Sequence, residues 1–205
     1  MSLAKKLLLA STALSMLVSF TPVDARSETL VTFEFGGTLE DVDPSLAGVF
    51  EAGDPFFGSV TYDLDVPDDL PDNPDYGIYQ NLVSFSCTIA GTHEVTATVG
   101  KVNLPVGLVM DWLITDGFSG DAAAGMTPQF VNIPLGENQA DPLLTTDQMP
   151  AAPFPSMLEF GPSAFRIRFG PTANANEVRG AITTDGGTVS SGSSSWGSLK
   201  AKYDD

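Results

Sequence analysis

The residues best suited to chemistry are six aspartates in one short stretch of the chain, with Asn73 among them. Ca²⁺ takes six to eight oxygen ligands and tolerates a flexible loop. The stretch has neither the central glycine nor the closing glutamate of an EF-hand. The stretch is interpreted as a plain solvated loop, with a structural or regulatory Ca²⁺ site as the alternative, and Asp111, Asp116 and Asp121 form a second, weaker group. The predicted metal ligands are Asp63, Asp65, Asp68, Asp69, Asp72 and Asp75.

The sequence offers few residues for nucleophilic catalysis or for a zinc site. His93 is the only histidine and Cys87 the only cysteine, whereas a Ser-His-Asp site, a Cys-His site or a zinc site needs several such groups together. Cys87 alternates with Val83, Phe85 and Ile89 in a predicted strand, so we interpret it as a buried small hydrophobic residue. His93 falls at a predicted hairpin tip. No glycine motif for binding phosphate is present.

Paired carboxylates are the remaining route to an enzyme. A glycosidase needs two acids about 5 to 10 Å apart beside a sugar cleft. Only Glu34, Asp63 and Asp111 lie within predicted strands, and most other acids lie in proline-rich loops. We therefore predict that the protein is not an enzyme. A secreted hydrolase, either a glycosidase or an esterase that uses loop carboxylates, is an alternative.

The elements that position these residues are predicted to be short β-strands. Wherever the sequence is periodic, apolar residues alternate with polar ones, which is typical of strands with one buried face. No amphipathic helix longer than two turns is indicated, although Asp43 and Pro44 could cap and begin one helical turn. About eight strands at regular spacing predict an all-β fold, an antiparallel and jelly-roll-like β-sandwich.

The two ends of the chain differ from this β-rich middle. Residues 1–25 combine a basic start, an apolar run and a small residue at Ala25, which is the pattern of a secretory signal peptide. Residues 26–184 form the predicted sandwich domain, and residues 185–205 read as a Gly/Ser-rich linker and tail. We expect a secreted protein, extracellular or periplasmic in a Gram-negative host, with no membrane span in the mature chain.

The net charge of the chain limits the classes of molecule that the protein is expected to bind. The chain has 26 Asp and Glu against 9 Lys and Arg, for a formal net charge of −17. Binding of nucleic acid or anionic lipid depends on basic groups, so both are disfavoured. We predict an extracellular binding role or a structural role in a matrix or surface layer, with a polysaccharide or a matrix protein as partner. A carbohydrate-binding module is an alternative that needs exposed aromatic residues, for which the candidates are Tyr76, Tyr79, Trp112 and Trp196.

Several motifs resemble a group of secreted bacterial β-rich proteins, many of which carry a PEP-CTERM sorting tail. They are F-x-F-x-G-T-L-x-x-V-D-P-x-L-x-G over Phe33–Gly48, G-D-x-x-x-G-S-V-T-Y-D over Gly53–Asp63 and G-x-Y over Gly77–Tyr79, together with the stretches Val83–Gly91 and Leu143–Ala181. The resemblance implies a β-rich architecture and no catalytic residues. The chain departs from the group at its end, which has no Pro-Glu-Pro motif, hydrophobic helix or arginine cluster, so we expect release as a free protein.

Overall fold

The computed structural model describes residues 29–106, 109–136, 146–149, 162–172 and 175–191, without the side chains of Val109 and residues 184–191. This part of the chain contains eleven strands and no helix. The strands are β1 (Leu30–Val42), β2 (Pro55–Asp63), β3 (Tyr76–Tyr79), β4 (Leu82–Ile89), β5 (His93–Ala97), β6 (Val99–Pro105), β7 (Val109–Asp116), β8 (Ser119–Gly120), β9 (Pro128–Gly136), β10 (Ala164–Phe169) and β11 (Glu177–Ser191).

All eleven strands belong to one antiparallel sheet, in the order β3-β6-β7-β9-β10-β11-β1-β2-β4-β5-β8. Three strands separate β1 from β7 in this order, yet the ring centres of Phe33 and Trp112 lie only 4.6 Å apart. The sheet therefore curls until its two halves face each other around one core. The all-β, antiparallel prediction is confirmed, but eleven strands in one continuous sheet replace the predicted eight-stranded sandwich.

The long strand pair β1 and β11 is irregular. Their register shifts at three places, between Phe33 and Phe35, between Gly36 and Gly37, and between Leu39 and Asp41. Such bulges bend a strand and increase its local twist. Gly37 is required at the bend, because a Cβ atom there would collide with the Ala181 carbonyl oxygen and the Phe56 ring. Period-two patterning identifies strands but cannot show that they share one bent sheet.

The inner face of the curled sheet carries the core predicted by the alternation except at Val83, which is 41% exposed where the pairing of β2 and β4 shifts register. Aromatic rings from four strands meet there, including Phe35, Phe56 and Phe165, whose ring centres lie 4.6 to 6.3 Å apart. The predicted Asp43 cap is also present, because Asp43 Oδ1 accepts a hydrogen bond from Ser45 N at 2.9 Å. The segment that follows forms turns rather than a helix, and its Leu46 and Phe50 side chains are buried.

Some strand limits differ from those the sequence indicates. The sequence predicts one strand over Ile78–Ile89, but it is interrupted at Gln80 and Asn81, where the chain passes from β3 in one half of the sheet to β4 in the other. The predicted Gly/Ser-rich linker from residue 185 instead continues β11 as far as Ser191, paired with β1. Backbone pairing needs no side chains, so a low-complexity stretch can extend a strand. The sequence also predicts a short strand at Leu143–Thr146, which lies almost wholly outside the described residues.

The described residues contain no helix long and apolar enough to cross a membrane. The predicted signal peptide, residues 1–25, lies outside the described part of the chain, as does most of the predicted tail.

Candidate functional site

The six predicted calcium ligands lie at the end of β2 and in the loop between β2 and β3, which we call the acidic loop (residues 63–75). Several of their carboxylates are hydrogen-bonded to backbone amides. Asp63 Oδ1 accepts from Asp65 N at 2.9 Å, and Asp65 Oδ2 accepts from Thr29 N at 2.9 Å. Short polar side chains commonly organise turns in this way.

Asp68 ties the acidic loop to the outer edge of β3. Its Oδ1 atom accepts hydrogen bonds from Leu70 N at 2.9 Å and from Ile78 N at 2.8 Å. The Asp69 amide in turn donates to the Ile78 carbonyl oxygen at 2.8 Å. Because β3 pairs only with β6, Ile78 would otherwise present both backbone groups at a free sheet edge. The loop therefore closes one edge of the sheet.

No group of three or more His, Cys, Asp and Glu side chains positioned to hold a metal ion occurs among the described residues. The weaker group is also dispersed: Asp111 accepts a hydrogen bond from Asn132, Asp116 caps Gly117, and Asp121 Oδ2 accepts from Glu94 N at 3.0 Å. Calcium binding by the acidic loop stays a prediction.

His93 and Cys87 occupy structural positions. The His93 ring packs edge-on against Phe50, with ring centres 4.9 Å apart, and its Nε2 atom lies 3.2 Å from the Ala122 carbonyl oxygen. Cys87 is buried on the inner face of β4, and this burial raises the pKa of its thiol. The interpretation of Cys87 as a buried hydrophobic residue is confirmed. Its cross-strand neighbours are Gly58 and Val95, and neither is a base.

The three carboxylates that the sequence predicts within strands, Glu34, Asp63 and Asp111, do not lie together. Phe33 and Trp112 meet inside the core, so the adjacent Glu34 and Asp111, which point the opposite way, lie on outer faces of opposite halves of the sheet. Asp63 lies at the end of β2, where it caps the acidic loop.

The aromatic residues predicted to bind carbohydrate are mostly inside the protein. Trp112 and Tyr79 are buried, Tyr76 is half-buried, and Trp196 lies outside the described residues. Among the described residues, the large aromatic side chain that is exposed is one that the sequence did not single out: Phe57 in β2 is 60% exposed on the outer face.

The outer face around Phe57 carries a row of hydroxyl groups that crosses four strands, and we call it the hydroxyl row. Ser59 is paired with Ser86, Ser86 with Thr96, and Thr96 with Ser119. The Ser59 and Ser86 hydroxyl oxygens are 2.9 Å apart, and Thr96 Oγ1 donates to the Ser119 carbonyl oxygen at 3.3 Å. A shorter row runs beside it, in which the Thr32 and Thr61 hydroxyl oxygens are 2.7 Å apart.

A cavity of about 330 Å³ opens where the hydroxyl row ends. Ser119 belongs to both features. Asp116 Oδ1 is fixed by the Gly117 amide at 2.7 Å, and Gln129 Nε2 donates to Thr127 Oγ1 at 3.1 Å, so two polar side chains at the cavity are oriented. The lining residues are Thr115, Asp116, Phe118, Ser119, Gly120, Thr127, Pro128 and Gln129.

Glycine at position 120 makes this arrangement possible. Its φ angle is 133°, a conformation that residues with a side chain rarely adopt. A Cβ atom at this position would also collide with the Glu94 carbonyl oxygen of β5. Glycine therefore lets β8 approach β5 and brings Ser119 to the end of the hydroxyl row.

No family model, curated protein or solved structure matches the chain. The sequence did not reveal the hydroxyl row, because it joins strands from residue 59 to residue 119, or the cavity, because it depends on how the chain folds between residues 115 and 129. The density of Ser and Thr at outward positions of β2, β4 and β5 was the only sequence signal for them.

Proposed function

We propose that the protein is an exported, non-catalytic binding protein that takes a neutral sugar unit of a polysaccharide in the cavity beside β8. The observation that carries this proposal is the meeting of the cavity with the hydroxyl row at Ser119. The cavity has the size of a small-molecule site, at the lower end of the usual range of about 300 to 1,000 Å³.

The lining of the cavity suits a sugar. The Asp116 carboxylate and the Gln129 amide offer hydrogen-bond acceptors and donors, and Thr115, Thr127 and Ser119 add hydroxyls that can do both. Phe118 supplies an apolar ring for the carbon-bound face of a pyranose. Within the described residues, the second oxygen of Asp116 has no protein donor and is available to a ligand.

The hydroxyl row could bind the sugar units of a polysaccharide that extend beyond the cavity. Neighbouring strands lie about 4.8 Å apart, so the four residues form a continuous polar track across β2, β4, β5 and β8. Exposed Phe57 lies on the same outer face, one cross-strand row away. An extended polysaccharide is therefore favoured over a free monosaccharide.

Export and the absence of catalysis are parts of the same proposal. Export rests on the pattern of residues 1–25. The non-catalytic role is supported by the dispersed carboxylates, by the packing of His93 against Phe50 and by the burial of Cys87. A matrix or surface role is compatible with binding of this kind, because a matrix protein must hold its polymer.

The test is a glycan array of neutral and acidic oligosaccharides, followed by calorimetric titration of the best neutral binder. Asp116→Asn keeps an acceptor for the Gly117 amide but removes the charge at the cavity. Hydrogen bonds to charged groups contribute about 1.5 to 3 kcal/mol, so we expect about tenfold to hundredfold weaker binding. Thr96→Val should weaken the binding of long oligosaccharides more than the binding of short ones.

The matched control is Asp72→Asn, which removes the same charge from an exposed position in the acidic loop. Its sugar affinity should equal that of the wild type. Equal affinity of Asp116→Asn and wild type, with melting temperatures unchanged, would refute the cavity as the binding site, and so would the absence of any neutral binder on the array.

A further inference from the structure

The positively charged side chains of this acidic protein converge on one outer face. The lysine and arginine side chains that the structure describes are Lys101, Arg166, Arg168 and Arg179. Arg166 and Arg179 face each other across β10 and β11, and cross-strand pairing continues from Arg166 through Asn132 and Leu113 to Lys101. We call this set of four cations the basic strip. It lies on the half of the sheet opposite the hydroxyl row.

Two carboxylates, Glu177 and Asp111, compensate half of the four positive charges on the basic strip. Glu177 is 5% exposed and accepts hydrogen bonds from Arg166 Nε at 2.8 Å and Nη2 at 2.5 Å, and from Arg179 Nη2 at 3.0 Å. Lys101 lies close enough to Asp111 to lower the pKa of that carboxyl, although burial raises it more. Arg168 is the exception.

Arg168 has no carboxylate partner within the described residues, although Glu177 stands directly opposite it in the sheet. Its guanidinium carbon lies 5.0 Å from the centre of the Phe130 ring, and Arg166 approaches the same ring at 5.9 Å. The Arg168 Nε atom is buried and makes no hydrogen bond in this part of the chain. A ligand from solvent therefore cannot reach Nε, and the donors open to it are Nη1 and Nη2, which are neither fully buried nor hydrogen-bonded to the described residues.

We propose that Arg168, held in place by Phe130, binds the carboxylate of an acidic polysaccharide, that is, of a uronate unit. A guanidinium group presents a planar fork of donors that matches a carboxylate with two hydrogen bonds. The Phe130 ring beside it offers an apolar edge to a pyranose, which an isolated carboxylate-bearing peptide side chain would not use. The remaining cations of the basic strip add attraction along a polymer.

The net charge of −17 does not prevent this contact. At physiological ionic strength the screening length is about 8 Å, so a ligand on the basic strip responds mainly to the nearby arginines. Binding should therefore be favoured by local charge and weakened by added salt. This site goes beyond the cavity described above and does not depend on it.

The experiment measures binding of polygalacturonate and of neutral dextran to the full chain by affinity electrophoresis and calorimetry at 50 and 500 mM NaCl. Wild type should bind polygalacturonate at low salt and lose affinity at high salt. Arg168→Gln should weaken this binding about tenfold to hundredfold. Arg168→Lys, which keeps the charge without the fork, should recover only part of it.

Further measurements distinguish binding at Arg168 from binding in the cavity and from a simple loss of structure. Asp116→Asn should bind polygalacturonate as the wild type does, whatever the result for neutral sugars. Melting temperatures identify any variant that fails to fold, in which case Phe130→Leu provides a second perturbation of Arg168. Equal binding by wild type and Arg168→Gln, or equally tight binding of polyglutamate, would overturn the proposal of a uronate site.

Discussion

Glu177 shows how a single carboxylate makes an otherwise unfavourable pairing stable. Arg166 and Arg179 lie directly opposite each other, and like charges in this position repel. Glu177 accepts hydrogen bonds from both side chains. Burial raises the pKa of Glu177, but the hydrogen bonds and charges of the two arginines outweigh it and hold the pKa below its usual range. The ionised form is therefore stabilised in the folded protein.

Replacing Glu177 by Gln should destabilise the fold in a pH-dependent way. We expect a loss of about 1.5 to 3 kcal/mol at pH 7, since charge-assisted hydrogen bonds are lost. A group with a depressed folded-state pKa contributes stability above its unfolded pKa, about 4.3 for Glu, and loses it as the pH falls through the folded pKa. Urea denaturation at pH 7 and at pH 3 measures the difference.

The difference between wild type and Glu177→Gln should shrink at pH 3. Glu34→Gln is the matched control, because it removes the same charge from an exposed position in β1. A gap for Glu177→Gln that is equally large at both pH values would show that its side chain stabilises by packing rather than by charge.

The short edge strand β3 depends on the acidic loop for its protection. Ile78 directs its amide to Asp68 and its carbonyl to the Asp69 amide. Natural proteins cover exposed sheet edges in this manner to avoid pairing with other chains. The aspartates that the sequence marked as metal ligands thus have a demonstrable role in the architecture of the loop, whether or not an ion also binds there.

Removing the Asp68 side chain should open the edge of β3. In Asp68→Ala we expect the Ile78 amide to exchange with deuterium at least about tenfold faster, since one charge-assisted hydrogen bond is lost. Asp68→Asn retains an acceptor and should behave more like wild type. Asp72→Ala, an exposed position in the same loop, is the control, and equal exchange in Asp68→Ala and Asp72→Ala would contradict the role of Asp68.

Calcium stabilisation of the acidic loop can be tested by thermal unfolding in EDTA and in excess CaCl₂. A ligand at 100 times its dissociation constant adds about 2.7 kcal/mol of stability. For a domain of this size that corresponds to a rise of about 5 to 11 °C in melting temperature. MgCl₂ at the same concentration is the control, and an unchanged melting temperature in millimolar CaCl₂ would contradict a site of submillimolar affinity.

The whole molecule is held together by one core shared between the two halves of the curled sheet. Trp112 of β7 lies against Phe33 of β1 and near Tyr62 of β2, with ring centres 4.6 and 6.2 Å away. Side chains from both ends of the strand order therefore depend on each other. Opening either half exposes the same apolar surface, so we expect cooperative unfolding.

Cys87 gives a direct measure of this cooperativity. Its thiol is buried in the shared core, and burial raises its pKa, so it should react with a thiol reagent only when the core opens. At pH 8 we expect labelling at least about a thousandfold slower than for an exposed thiol. Ser86→Cys in a Cys87→Ala background places a reference thiol on the outer face of the same strand. Comparable labelling of the two positions would contradict a cooperatively closed core.

The sequence by itself determined the all-β class, the inward residues of most strands and the lack of a second imidazole or thiol for catalysis. These are local properties, because the alternation of apolar and polar side chains in a strand such as β10 depends only on the residues of that strand. Only the tertiary structure decided the rest. The bulges of β1 and β11 bend the sheet, the pairing of β2 with β4 and of β5 with β8 aligns the hydroxyl row with the cavity, and the pairing of β9 with β10 places Phe130 beside Arg168. Such pairings join residues far apart in the chain, and periodicity along one strand carries no information about which strand will lie beside it.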